Sequence, residues 1–161
     1  MGGSFTFFNR FLPRQVDNTY GGSKIALVIF GALVSLKLII GWNCIFIGRS
    51  VAASADGIPL DTFPPAAAQA IVSDFAIWGV SQVMIGLLCI LVLVRYRALV
   101  PLMFALLFLE FVCRRLSLHF VPSVTAGSPP GSIVNLVLIS LIVLGLGLSL
   151  WSPGKQPRTV S

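Results

Sequence analysis

LLCILVLVRYRALVPLMFALLFLEFVCRRL, residues 87–116, holds two apolar runs separated by one basic turn. The interruption, Arg95, Tyr96 and Arg97, is too short to do anything but reverse the chain. It makes the helices on either side antiparallel neighbours. The second run ends in Glu110, Arg114 and Arg115, charges that an apolar helix does not need.

The whole chain shares this character. Its 161 residues are 57% hydrophobic and 10% charged, against about 25% charged in a soluble domain. So little polar surface cannot cover a water-exposed globule, and the composition predicts a membrane protein. The net charge of +6 raises nucleic-acid binding. The basic residues stand in ones and twos at the edges of apolar runs, without a basic stripe or interleaved aromatics. They flank membrane spans, and no nucleic-acid partner is expected.

Four apolar runs approach the ~20 residues that cross ~30 Å of hydrocarbon. They cover Ile25–Ile47, Ala70–Val94, Ala98–Leu116 and Ile133–Trp151. Pro65 would suit an earlier start for the second helix, because its fixed φ fits a first helical turn. Pro101 sits in the first turn of the third. Trp42 and Trp151 lie toward span ends, where indole favours the interface, and Trp78 lies deeper, within the bundle. Residues 48–69 and 117–132 form two long proline-containing loops on one side. The termini and the Arg95–Arg97 turn occupy the other.

That second side holds seven basic residues (Arg10, Arg14, Lys24, Arg95, Arg97, Lys155 and Arg158), and the long-loop side holds three. The positive-inside rule then makes both termini cytoplasmic. The expected fold is all-α, a four-helix transmembrane bundle. Residues 1–24 form an N-terminal interfacial segment or a free tail, 25–151 the membrane domain and 152–161 a cytoplasmic tail. The first 24 residues lack a continuous apolar core, so no cleavable signal peptide is expected. MGGSFT matches a myristoylation pattern at Gly2, but one acyl tail adds little to four spans.

Polar groups crowd toward the long-loop side of all four spans. Lys37 lies mid-span in the first helix. Asp74, Ser81 and Gln82 follow one another on nearly one face of the second. Glu110 and Arg114, four apart, stack on the third, and Asn43 and Asn135 lie in the same half. Arg115, turned about 100° from Arg114, reaches for headgroups. Charges within lipid persist when they pair or face a wet cavity. Lys37, Asp74, Glu110 and Arg114 therefore form either a neutral network fastening the bundle or, with Gln82, the lining of a ligand pocket open to the long-loop side. The pocket would take a small polar molecule or a lipid or quinone headgroup.

No catalytic residue is assigned. H-E-x-x-H, G-x-S-x-G and Gly-rich phosphate loops are all missing, and His119, the single histidine, falls in or near a loop. Cys44, Cys89 and Cys113 lack metal-ligand spacing. They read as small apolar side chains, with a Cys44–Cys113 disulfide as the alternative. Gly31 with Ser35, and Gly145 with Ser149, place small residues four apart for close helix contact.

ALVSLKLIIG around Lys37 (residues 32–41), the long loop, the tight basic turn and the Arg114–Arg115 pair resemble the DoxX-like small four-helix bacterial membrane proteins. The resemblance implies an α-helical four-span fold in a bacterial inner membrane, and some members are membrane subunits linked to redox or sulfur metabolism. The leading functional expectation is a non-catalytic subunit or accessory protein of a membrane complex. The bilayer, other membrane subunits or a second copy would be its partners, and the cofactor is left open. A binding protein or small transporter using the polar pocket is the alternative, and an enzyme acting on a lipid-like substrate comes third.

Overall fold

A computed structural model describes residues 16–122, 124–126 and 129–151. The described residues are helical, without strands. Four long helices dominate: α1 (Lys24–Phe46), α2 (Pro65–Arg95), α3 (Val100–Phe120) and α4 (Gly131–Leu150). Three of them, α1, α2 and α4, are long and apolar enough to cross a membrane. The fourth, α3, has 21 residues, but Glu110, Arg114 and Arg115 interrupt its apolar run. The phenylalanine- and arginine-containing stretch through Arg14 and the tail 152–161 lie outside the described residues.

Local chemistry sets the helix ends. The Ser23 hydroxyl accepts from the Ile25 N–H at 3.3 Å, capping α1. Pro65 opens α2 five residues before the apolar run begins. Over 31 residues α2 reaches about 46 Å, well beyond ~30 Å of hydrocarbon. Arg97–Leu99 closes a 3₁₀ turn before α3, so α3 starts two residues later than its apolar run. It stays helical through Phe120, because nothing between Arg114 and Phe120 breaks it.

Packing departs from chain order. α1 lies against both α2 and α4, and α3 docks on α4 while it only grazes α2. The tight turn makes α2 and α3 antiparallel without making them packing partners. α1 and α2 approach most closely where two glycines meet. A Cβ on Gly79 would stand 2.7 Å from the Gly41 carbonyl, and one on Gly41 would stand 2.9 Å from the Gly79 carbonyl. Of the small pairs expected from spacing, Gly31 has only Leu93 near it, at 3.8 Å, whereas Gly145 is covered by the Phe104 ring.

The main core fills the half nearer the α2–α3 turn. Phe30 and Phe104 meet edge to face at 5.1 Å, surrounded by Leu33, Val100, Leu107 and Ile142. Such a ring pair adds about 0.5–1.5 kcal/mol beyond its buried area. The segment before α1 joins this end: the Ser23 N–H donates to the Leu148 carbonyl at 3.2 Å, and the Ala98 N–H to the Asp17 carbonyl at 3.3 Å.

The segment between α1 and α2 is ordered. A helical turn, Gly48–Ser50, runs into a π-helical turn, Val51–Ala55, and a 3₁₀ turn follows at Leu60–Thr62. Gly57 takes φ 68°, a left-handed value that a side chain would strain. It lets the chain turn back so that the Ile58 N–H reaches the Ala52 carbonyl at 2.9 Å. The Gly57 carbonyl accepts from the Ala126 N–H at 2.8 Å, joining the two long loops. Ala52, Leu60 and Ala68 form a small second core beneath them.

Candidate functional site

Helix register brings three polar side chains to one level. Lys37 is thirteen residues from Lys24, Gln82 thirteen from Arg95 and Glu110 thirteen from Arg97. At ~1.5 Å per residue, each lies about 20 Å from the α2–α3 turn. There they close a triangle. Lys37 Nζ donates to Gln82 Oε1 at 2.6 Å and to Glu110 Oε2 at 3.0 Å, and Gln82 Nε2 donates to Glu110 Oε1 at 3.3 Å. Lys37 is 6% exposed and Gln82 4%. A buried ammonium is tolerated here because a carboxylate and an amide oxygen replace its water.

One turn further along α3, Arg114 stands over this triangle. Its Nη2 donates to Asn135 Oδ1 on α4 at 2.9 Å. Its Nε lies 4.0 Å from Glu110 Oε1 and is buried without a hydrogen-bond partner. The guanidinium carbon also sits 5.7 Å from the Trp78 ring centroid and 5.4 Å from that of Phe111, a cation–π arrangement.

These groups border a cavity of about 190 Å³. At ~30 Å³ per water it holds about six waters or a small polar group. Lys37, Gln82 and Glu110 form its floor, and Arg114, Trp78 and Asn135 its walls. The π-helical turn closes over the top and places Asp56 there. A Cβ on Gly131, at the start of α4, would come within 2.9 Å of Asp56 Oδ1, so the missing side chain leaves room for that carboxyl. Burial pushes the Asp56 carboxyl above its ordinary value, and the nearby Arg114 charge pulls it partly back.

Of the residues expected at the site, Lys37, Gln82, Glu110 and Arg114 come together. Asp74 does not join them. It is exposed and lines an adjoining groove with Phe75, Ser117 and Leu118, which Asp56, Trp78 and Arg114 also border. The cause is height: Asp74 is 21 residues from Arg95, about 32 Å from the turn, a good 10 Å beyond the triangle. Ser81 is exposed and bonds back to the Ile77 carbonyl. Asp56 is the acid that spacing arguments miss, because no helical period reaches into a loop. The Asp56–Gly57 pair, which favours a turn, was the available signal.

Trp78 is half-buried and lines the cavity, while Trp42 and Trp151 are exposed. Cys44 and Cys113 are unbonded, one buried and one exposed, which removes the disulfide alternative. His119 is exposed and meets only the edge of Phe120. No cluster of three or more His, Cys, Asp or Glu among the described residues is arranged to hold a metal. No family model, curated protein or solved structure matches the chain.

Proposed function

We propose that the chain is an integral membrane protein, a four-helix bundle whose polar cavity beneath the long loops binds a small polar molecule or a lipid or quinone headgroup. The observation that carries this reading is the cavity itself: a space of about 190 Å³ floored by the Lys37–Gln82–Glu110 triangle and walled by Arg114. A network serving only as a fastener does not require such a space.

The same triangle supports α3 as the fourth span. An isolated charge at the centre of a spanning helix costs roughly 2.5–3.5 kcal/mol on insertion scales. Glu110 meets Lys37, Arg114 meets Asn135, and Arg115 is exposed near the end of the helix. Exposed apolar side chains such as Ile77, Met84, Leu87 and Leu91 on α2 form the surface that lipid would cover. Partner helices would cover it equally well, so it does not favour an accessory subunit over a binding protein. The cavity does favour binding. The count of flanking basic residues supports cytoplasmic termini.

Single cysteines test the topology in a protein whose own three cysteines are replaced by alanine. Ser54→Cys and Ala126→Cys are expected to react with an impermeant maleimide from outside, and Tyr96→Cys to stay protected. Reaction of Tyr96→Cys together with Ala126→Cys would mean that α3 does not cross. The binding role is tested with Glu110→Gln, which is expected to strip the retained ligand from the protein that remains folded, beyond any fall in abundance. The converse pattern would leave the triangle a fastener only.

A further inference from the structure

If the cavity binds a ligand as proposed above, its unused hydrogen-bonding groups define the ligand's chemistry. Both Glu110 oxygens are engaged, one by Lys37 and one by Gln82. Gln82 Oε1 is taken by Lys37, and Asn135 Oδ1 by Arg114. These four acceptors are thus occupied by the cavity's own donors. Arg114 keeps a surplus: its buried Nε has no partner, and the nearest carboxylate oxygen is 4.0 Å away.

Charge points the same way. Lys37 and Glu110 neutralise each other at 3.0 Å. Arg114 has only the 4.0 Å approach of Glu110, which Lys37 already holds more closely, and Asp56, whose ionisation burial disfavours. A guanidinium with a weakened counter-ion is matched by a planar carboxylate or a phosphate, which takes its N–H groups in pairs.

Position adds the route. Arg114, Asp56 and Trp78 border both the cavity and a groove of about 320 Å³ that continues past Asp74 and Ser117. The groove exists because α3 leans on α4 and only grazes α2. We propose that the ligand carries an oxyanion, a carboxylate or phosphate, which enters by the groove between α2 and α3 and is received by Arg114 beside Trp78. The oxyanion belongs either to the head of an anionic amphiphile in the bilayer or to a free small anion.

Trp78 reports on this site directly. The Trp42→Phe/Trp151→Phe protein, reconstituted in phosphatidylcholine vesicles, leaves Trp78 as its single indole. Its fluorescence is titrated with dibromostearate, with the neutral glycerol ester of the same acid, and with water-soluble bromobenzoate. Saturable quenching by an anionic probe is expected, weakened about tenfold or more by Arg114→Gln, as loss of a charge-assisted hydrogen bond implies. Quenching by dibromostearate alone assigns an amphiphile, and saturable quenching by bromobenzoate assigns a free anion. Arg114→Lys keeps the charge without the planar fork and is expected to recover part of the loss. It carries the test if Arg114→Gln fails to fold by circular dichroism. Saturation by the neutral ester with no effect of either Arg114 variant would overturn the oxyanion site while leaving the binding role intact. No saturable quenching by any probe would overturn both.

Discussion

Lys37→Met removes the one group that holds both α2 and α3 to α1 through polar contacts. The ammonium is almost fully buried, and the Glu110 side chain is 26% exposed. Breaking a fully buried pair costs about 3–5 kcal/mol, whereas an exposed pair contributes under about 1 kcal/mol. A quarter-exposed carboxylate falls between, and Glu110 would keep Gln82 Nε2 at 3.3 Å. Arg114 Nε, 4.0 Å away, is near enough to move in. The expected loss is about 2 kcal/mol. Glu110→Gln alone leaves the buried ammonium with amide oxygens but no counter-charge and is expected to cost a similar amount. In the double variant neither charge remains, and the two glutamine amides can pair across the gap. A coupling of about 1–2 kcal/mol should therefore appear. The assay is equilibrium unfolding in mixed micelles by increasing dodecyl sulfate, followed by circular dichroism. Losses that add to within ~0.5 kcal/mol would show that Lys37 and Glu110 are not coupled.

Other outcomes follow from placement. Gly79→Ala puts a Cβ 2.7 Å from the Gly41 carbonyl and should cost about 1–3 kcal/mol in the same unfolding assay, whereas Gly31→Ala, which meets only Leu93 at an ordinary 3.8 Å, should cost nothing. Asp61→Asn, which breaks only the exposed pair with Arg49, should change stability by less than about 1 kcal/mol and leave retained ligand unchanged, while Gln82→Leu, which strips a partner from both Lys37 and Glu110, should lower both. Asp56 has its folded-state pKa raised from 3.8 by burial. Its contribution to stability is therefore complete below pH 3.8 and is lost as pH rises through the folded value. Asp56→Asn should accordingly be stabilised relative to the parent at pH 7, with the gap narrowing in unfolding curves taken toward pH 4. A gap independent of pH would mean that the carboxyl is not desolvated.

Much of the site was legible because helix rise is regular. Counting thirteen residues from Lys24, Arg95 and Arg97 puts Lys37, Gln82 and Glu110 at one level. The same count puts Asp74 21 residues from Arg95 and so excludes it wherever α2 starts. Gly41 and Gly79 also fall at matching heights. Spacing alone also offers Gly31 with Ser35 and Gly145 with Ser149, but it does not encode which face meets which helix. Asp56 stayed hidden because its position depends on a π-helical turn and a left-handed glycine, which no hydrophobic period encodes. The leaning of α3 onto α4 was equally hidden, because a tight turn sets the direction of a helix and not its packing partner.

Native mass spectrometry of the protein gently extracted from its own membrane tests the central claim most directly. The expected result is a monomer or homodimer carrying a retained small molecule or lipid in the parent, with that mass lost from Arg114→Gln and kept in Asp61→Asn. A partner subunit at fixed stoichiometry with no retained small mass would contradict it, leaving the Lys37–Gln82–Glu110 triangle as the fastener of an accessory subunit.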